Sequence, residues 1–190
     1  MAKAGGEAQR ESIERVVLDA ATIEARVREL GARITADYAG VDEPIVLIGI
    51  LRGAAIFLAD LIRNMDRMLT IDFMAVSSYG ASTTSSGVVR ILKDINESIE
   101  GAHVIIVEDI VDSGLTLAYL LDLLQRRGPA SLRVCAFLMK DRPRANVLPP
   151  VDYIGFTIPD EFVIGYGLDY AGRYRNLPYL GVLHLEPAGE

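Results

Sequence analysis

Metal-binding and redox-active side chains are scarce in this sequence, which has one cysteine and two histidines among 190 residues. Cys135, His103 and His184 lie far apart along the chain, and zinc sites need such ligands in a cluster, so no zinc site is expected. Cys135 lies in the apolar run 132–139, whereas a nucleophilic thiol needs a more electropositive, open setting. We therefore interpret Cys135 as a structural thiol in a reduced, cytoplasmic setting.

Long hydrophobic runs and an excess of positive charge are also missing. No window approaches the roughly 18 consecutive apolar residues of a membrane span, so no membrane association is predicted. The 19 lysines and arginines are outnumbered by 26 acidic residues. Because nucleic-acid backbones demand a basic surface, we do not expect nucleic acid as the main partner. Residues 1–11 lack the apolar region of a signal peptide and are predicted to be a disordered lead, followed by a single domain over 12–190.

Apolar runs alternate with helical patterns along this domain. The run 45–51 is apolar without alternation, which is typical of a strand buried on both faces of a parallel sheet. Asp19 is a plausible N-cap for a helix reaching to near Tyr38. Further strands are predicted at 16–18, 70–77, 88–92, 103–107, 132–139, 153–156 and 162–164, and further helices at 54–65 and from 117 to near 128. The alternation predicts an α/β fold with a mostly parallel central sheet flanked by helices.

Polar residues follow three of the predicted strands, at 52–53, 108–116 and 140–144. Ligands of such sheets lie beyond the carboxyl ends of the strands. The segment 108–116 carries the strongest signal, because adjacent carboxylates, Glu108 and Asp109, repel unless a divalent cation or a sugar diol lies between them. The residues after them, Asp112 to Thr116, are predicted to open a helix, whose unpaired N–H groups and positive dipole end favour a phosphate.

Asp112 and Ser113 alone could merely cap a helix. The order of strand, acid pair, loop and helix start over 104–116 instead favours a catalytic site that binds a phosphorylated sugar. Gly114 would let the backbone approach that ligand closely.

The segment 104–116 resembles the signature of the type I phosphoribosyltransferases, which bind 5-phosphoribosyl-1-pyrophosphate with magnesium. Further segments, covering roughly residues 12–185 in the family's order, narrow the resemblance to hypoxanthine (hypoxanthine-guanine) phosphoribosyltransferases. These segments are Leu51-Arg52-Gly53, Ser78-Tyr79-Gly80, residues 86–94, Lys140-Asp141-Arg142-Pro143 and residues 162–170. Arg52 and Leu115 stand where some members carry lysine. The family's first loop works largely through its backbone, so neither departure threatens the resemblance.

The resemblance implies a type I phosphoribosyltransferase fold with a small hood and a flexible lid loop. It also implies a magnesium-dependent enzyme that converts hypoxanthine, and guanine, with phosphoribosyl pyrophosphate into IMP or GMP and pyrophosphate. An oxocarbenium-like transition state, a cytoplasmic location and a homodimer or homotetramer follow from the same resemblance. A xanthine-preferring transferase, and a non-enzymatic regulator that binds nucleotide or RNA on the same fold, stay open as alternatives.

The resemblance also assigns roles to single residues. Asp112 is the expected catalytic acid or base, because a carboxylate there can exchange a proton with the purine N7. The other expected roles fall into four groups. Leu51, Arg52, Gly53, Glu108, Asp109, Asp112, Ser113, Gly114, Leu115, Thr116 and Arg175 bind phosphoribosyl pyrophosphate. Lys140, Phe162, Val163 and Asp169 lie at the purine, with Lys140 on its 6-oxo group and Phe162 stacked on its ring. Glu108, Asp109 and Asp169 hold magnesium, while Ser78 and Tyr79 begin a lid over the site.

Overall fold

A computed structural model describes residues 11–78, 89–141 and 149–185 of the chain. The described helices are α1 (Ala20–Asp37), α2 (Ala54–Arg63) and α3 (Leu115–Gln125). The strands are β1 (Glu11–Leu18), β2 (Ile45–Leu51), β3 (Leu69–Ser78), β4 (Val89–Lys93), β5 (His103–Val111), β6 (Ser131–Asp141), β7 (Tyr153–Pro159), β8 (Val163–Ile164) and β9 (Leu180–Leu185). Within these ranges, no helix is both long and apolar enough to cross a membrane.

The central sheet has six strands in the order β4-β3-β2-β5-β6-β7. All neighbours in it pair in parallel except β4, which is antiparallel to β3 at one edge. A second sheet of three antiparallel strands, in the order β1-β9-β8, forms the hood. The predicted α/β class with a mostly parallel central sheet is confirmed.

Two apolar clusters lie on opposite faces of the central sheet, because successive strand residues point to opposite sides. Leu47 belongs to the cluster that α1 and α2 cover, and the next residue, Ile48, belongs to the one that α3 covers. Cys135, predicted to be structural, is fully buried in the first cluster. The continuous apolar sequence of β2 and β5 therefore reflects burial on both faces.

Several predicted boundaries differ from the structure, and two of them matter for the site and the hood. Glu11, the last residue of the predicted lead, is the first residue of β1. Strand β5 continues to Val111 instead of ending at Val107, since its backbone pairing with β6 runs on to Met139. Strand β9 was not predicted at all. The extension of β5 places the predicted acid pair inside a strand, which decides where the two carboxylates point.

Candidate active site

The loop after β2 packs against the acid of a neighbouring strand. Leu51 ends β2, and the Leu51–Arg52 peptide bond is cis. Gly53 follows and is buried, and a Cβ atom there would overlap Oδ2 of Asp109. The backbone at Gly53 therefore lies so close to the carboxylate of Asp109 that a residue with a side chain would not fit there. Leu51, Arg52 and Gly53 follow the carboxyl end of β2, and their role in binding pyrophosphate stays a prediction.

Glu108 and Asp109 point in opposite directions, although they are adjacent in sequence. Both lie inside β5, so their side chains point to opposite faces of the sheet. Glu108 lines a small cavity beside α3, whereas Asp109 lines a larger cavity beneath the hood. The strand therefore delivers both carboxylates, as predicted, but to opposite faces of the sheet; their shared role at one ligand stays a prediction.

Both acids are held where ionisation is unfavourable. Burial raises the pKa of Glu108 well above its ordinary value, and the nearby charge of Asp109 raises it further. Burial is also the largest cause of the raised pKa of Asp109. The amide N–H of Ile110, which donates to Oδ1 of Asp109 at 2.8 Å, and the charge of Arg175 partly oppose that rise. Such perturbed groups in a cleft are typical of functional sites.

The cavity beside α3 has a volume of about 90 Å³ and faces the start of the helix. Gly114 is the N-cap of α3, with a φ of 76°, and Oγ of Ser113 lies 3.4 Å from the amide nitrogen of Leu115. The first N–H groups of a helix have no partner within it, so they can donate to an anion. The lining residues are Glu108, Ile110, Val111, Asp112, Ser113, Gly114, Thr116 and Leu117. This arrangement suits a phosphate group.

The larger cavity has a volume of about 280 Å³. Lys140 lies near the end of β6, and its ammonium donates to Asp160 at 2.8 Å. Phe162 is 51% exposed and meets the ring of Tyr170 edge-on at 5.8 Å. A half-exposed aromatic ring on a cavity wall is suited to stacking on a flat ligand. The lining residues are Asp109, Ile110, Asp112, Lys140, Glu161, Phe162, Val163, Leu168 and Asp169.

Arg175 is brought to the same edge by a tight loop. Its guanidinium forms an ion pair with Asp169 at 2.5 Å and donates to the carbonyl oxygen of Gly167 at 2.5 Å. The second carboxylate oxygen of Asp169 accepts from the amide of Gly172 at 2.7 Å. The charges of Arg175 and Asp169 both act on Asp109. These three side chains, predicted separately from sequence, therefore lie together.

Asp112 and Ile110 line both cavities, and Asp112 is the one of the two with a side chain that can exchange a proton. It lines the small cavity at the start of α3 and also the larger cavity with Lys140 and Phe162. A ligand with a phosphate in the first cavity and a flat ring in the second would place the bond between its two parts beside Asp112. The predicted catalytic residue, Asp112, therefore lies where the two cavities meet.

The predicted magnesium ligands do not form a closed cage. Among the residues that the structure describes, no group of three or more histidine, cysteine and acidic side chains could hold a metal. Asp109 and Asp169 nevertheless line the same cavity, while Glu108 faces the other side of the strand. Magnesium is usually held by only one or two carboxylates, with water and substrate phosphates completing its shell. The donor set fits that mode of binding.

Two further predictions fall partly or wholly outside the described ranges. Ser78 is the last residue of β3, but the lid predicted from Ser78 and Tyr79 continues into residues that are not described. The loop predicted after Lys140 likewise extends past Asp141, the last residue of β6, into residues that are not described.

Sequence reasoning missed three polar residues of this region. Asp160 pairs with Lys140, and Glu161 lines the larger cavity while forming an ion pair with Arg15 of β1. The sequence signal for both acids was their position directly before Phe162, a predicted purine-binding residue. Tyr166, which bonds to Asp60 at 2.7 Å, has only its position between two glycines as a local signal.

Comparison with known proteins identifies relatives that match most of the chain. The phosphoribosyl transferase domain family matches residues 16–171. The hypoxanthine-guanine phosphoribosyltransferase of Bacillus subtilis is 50% identical over 171 residues, which cover 90% of this chain and 93% of the relative. A crystal structure of a hypoxanthine phosphoribosyltransferase from Staphylococcus aureus matches with a TM-score of 0.85 and 46% identity, over 90% of this chain and 92% of that one.

A third relative is longer. The bifunctional protein TilS/HprT of Listeria innocua is 49% identical over 182 residues, or 96% of this chain, but the match spans only 28% of that relative. The family match, the identities and the shared fold agree with the resemblance that the sequence motifs carry. The chain belongs to the phosphoribosyltransferase family, among the hypoxanthine-guanine phosphoribosyltransferases.

Proposed function

We propose that this chain transfers the phosphoribosyl group of 5-phosphoribosyl-1-pyrophosphate to hypoxanthine or guanine, producing IMP or GMP and pyrophosphate. The observation that carries the proposal is the position of Asp112, which lines both the phosphate-sized cavity and the larger cavity. The bond that forms joins the sugar C1 to the purine N9, between the phosphate and the base. Only a residue at that junction can act on both partners.

The reaction exchanges one bond at C1 for another. The bond from C1 to pyrophosphate oxygen breaks, the bonding pair leaves with pyrophosphate, and N9 of the base supplies the new pair. The base must lose a proton, and the carboxylate of Asp112 would exchange it at N7. Positive charge develops on the sugar in this oxocarbenium-like step. The carboxylates of Glu108, Asp109 and Asp112 would stabilise that charge, because they are already in place before it forms.

The larger cavity would take the base. Lys140 would donate to the 6-oxo oxygen, Phe162 would stack on the ring, and Val163 would meet the ring edge through its backbone. The ion pair with Asp160 at 2.8 Å supports this role, because it holds the ammonium at the cavity instead of leaving it to move in solvent. A donor fixed in advance gives more discrimination than a mobile one.

The remaining groups would hold the sugar and its phosphates. Residues 112–116 would cradle the 5-phosphate, residues 51–53 and Arg175 the pyrophosphate, and Glu108 with Asp109 the ribose hydroxyls. Asp109 and Asp169 face one cavity and would hold magnesium there, whereas Glu108 points to the other face of β5 and would reach the ion only through bridging water. When bound, magnesium supplies charge neutralisation to the pyrophosphate as it leaves. On sequence grounds, the lid beginning at Ser78 and Tyr79 would exclude water from the reacting centre.

We place the protein in the cytoplasm, as a homodimer or homotetramer. The supporting observation for a reducing compartment is Cys135, a free thiol that is fully buried and whose pKa is raised by burial. Light scattering coupled to size-exclusion chromatography would measure the assembly directly.

One assay tests the proposed function. The purified protein is incubated with magnesium, phosphoribosyl pyrophosphate and hypoxanthine, guanine, xanthine or adenine in turn, and nucleotide formation is followed. We expect product with hypoxanthine and with guanine. A clear preference for xanthine would replace the proposed substrate, and no nucleotide with any base would contradict the transferase itself.

A further inference from the structure

Tyr166 takes no part in the proposed chemistry but lies in the segment that leads to Arg175. Its ring is buried, with 6% exposure, and packs against Phe137 with ring centroids 4.7 Å apart. Its hydroxyl donates to Oδ2 of Asp60 at 2.7 Å, across a separation of 106 residues. Buried tyrosine hydroxyls usually need a partner, so Asp60 fixes the hydroxyl while Phe137 packs against the ring.

The backbone at Tyr166 turns sharply. Its φ is 48°, and those of Gly165 and Gly167 on either side are 99° and 100°. A positive φ is uncommon for a residue with a side chain, so the surrounding contacts must hold it. The amide of Tyr166 donates to the carbonyl oxygen of Leu177 at 2.9 Å. Side chain and backbone together therefore fix the turn.

This turn holds both halves of the proposed pyrophosphate site. The carbonyl oxygen of Gly167 accepts from the guanidinium of Arg175 at 2.5 Å, and the amide of Gly167 donates to the carbonyl oxygen of Arg175 at 3.0 Å. On its other side, a Cβ atom at Gly167 would overlap the carbonyl oxygen of Gly53. Gly167 is thus wedged between the arginine and the loop after β2.

Asp60 closes the connection. It lies in α2, which begins at Ala54, directly after Gly53. The hydrogen bond from Tyr166 therefore joins the helix that follows the pyrophosphate loop to the segment that carries Arg175.

We propose that the Tyr166–Asp60 hydrogen bond is a positioning contact, which holds the Arg175 guanidinium against the loop at Gly53 so that both meet the pyrophosphate group of the substrate. This inference rests on the proposed function. It predicts a selective effect, because Lys140 lies in β6 and Phe162 precedes β8, so neither belongs to the turn at 165–167. Loss of the contact should weaken pyrophosphate recognition and leave base recognition unchanged.

Tyr166→Phe removes the hydroxyl and keeps the ring on Phe137. The matched control is Tyr153→Phe, since the hydroxyl of Tyr153 donates to Asp37 at 2.9 Å in a similarly buried setting at the opposite end of the sheet. We expect the KM for phosphoribosyl pyrophosphate to rise about tenfold in Tyr166→Phe, within the roughly 10²-fold effect of a 1 Å misplacement. The KM for hypoxanthine should stay within about twofold of wild type in both variants, as should the KM for phosphoribosyl pyrophosphate in the control.

A second pair of variants separates positioning from stability. Asp60→Asn keeps a carbonyl acceptor for the tyrosine hydroxyl and should retain most of the wild-type KM, whereas Asp60→Leu should match Tyr166→Phe. Calorimetric binding of magnesium pyrophosphate to all four variants gives a readout that does not depend on turnover. All measurements are made well below each variant's melting temperature.

The outcomes are distinct. Weaker pyrophosphate binding in Tyr166→Phe and Asp60→Leu, with normal binding in Tyr153→Phe and Asp60→Asn, would support the positioning role. Equal substrate KM values and equal pyrophosphate affinities in Tyr166→Phe and Tyr153→Phe would overturn it while leaving the proposed function standing. A wild-type protein that forms no nucleotide and binds no pyrophosphate would overturn both.

Discussion

Both ends of the central sheet contain ion pairs, but they differ in how their most buried acid is surrounded. At the amino end, the guanidinium of Arg133 donates to the hydroxyl of Tyr153 at 2.6 Å and lies 5.0 Å from the ring centre of Tyr38. Asp37 accepts from Tyr153 at 2.9 Å, so acid, base and aromatic groups compensate each other. At the carboxyl end, Glu108 is buried with a second acid beside it, and burial raises the pKa of both.

The difference bears first on stability. Polar groups that satisfy one another stabilise the fold, whereas buried like charges lower stability unless a ligand compensates them. The carboxyl end also holds the positive φ angles of Tyr166, Ala171 and Tyr174. Unfavourable features of this kind are concentrated where a substrate is proposed to bind.

Removal of divalent metal should have the largest effect on activity. It should affect only the carboxyl end of the sheet and leave the amino end unchanged. With excess chelator, we expect nucleotide formation to vanish and to return when magnesium is added, because the acids and the pyrophosphate repel without a cation. The melting temperature should change little, since the compensated cluster at the amino end needs no metal. Full turnover in chelator would contradict the proposed magnesium site.

Asp112→Asn should lower turnover by about 10²-fold or more, the usual contribution of a group that exchanges a proton in the reaction. The KM for phosphoribosyl pyrophosphate should change less, because the backbone at the start of α3 is intact. Asp37→Asn is the matched control at the amino end and should keep near wild-type turnover. Near-normal turnover in Asp112→Asn would reduce that residue to a structural role.

Glu108→Gln should affect stability with the opposite sign to Asp37→Asn. Because burial raises the pKa of Glu108 in the folded state, the folded chain holds its proton more tightly than the unfolded chain, whose value is near 4.5. As pH rises above that value, the unfolded chain ionises first, so this residue increasingly favours unfolding. A neutral glutamine avoids that penalty.

We therefore expect Glu108→Gln to raise the melting temperature at pH 7 by about 2 °C or more, since 1 kcal/mol corresponds to about 2–4 °C in a domain of this size. The gain should disappear near pH 4, where the wild-type side chain is itself protonated. Asp37→Asn should lower the melting temperature at pH 7. The thermal scans are made in chelator and without substrate. A Glu108→Gln variant less stable than wild type at pH 7 would contradict the inference that the buried acid at the carboxyl end lowers stability.

Much of the site could be predicted because its signals are local. The apolar runs of β2 and β5, the cap at Asp19, whose carboxylate accepts from Thr22 at 2.7 Å, and the helix start after Asp112 each depend on neighbouring residues. The opposite directions of the Glu108 and Asp109 side chains were not predicted, because these two acids interrupt the apolar run. The predicted strand therefore ended at Val107, whereas the pairing with β6 continues to Val111.

Contacts between distant segments could not be predicted in this way. Strand β9 has a short apolar run containing Gly181, and it pairs with β1 at the other end of the chain. The bond between Asp60 and Tyr166 likewise joins residues that no periodicity relates. Such pairings depend on tertiary packing, which local propensity does not encode.

The most direct test of the account is base selection by Lys140. An ammonium has three donors and no acceptor, so it suits the 6-oxo oxygen of hypoxanthine and opposes the 6-amino group of adenine. Sites built on one such group can reject its analogue by about 10⁴-fold. The measurement is kcat/KM for hypoxanthine and for adenine in wild type, Lys140→Ala and the control Lys93→Ala, whose ammonium bonds instead to Asp72 at 3.2 Å.

We expect wild type and Lys93→Ala to use hypoxanthine and to leave adenine essentially unused. Lys140→Ala should lose activity with hypoxanthine and narrow the gap between the two bases, because the opposing donor is gone. Comparable use of adenine by wild type, or an unchanged ratio in Lys140→Ala, would contradict the assignment of the larger cavity as a 6-oxopurine site.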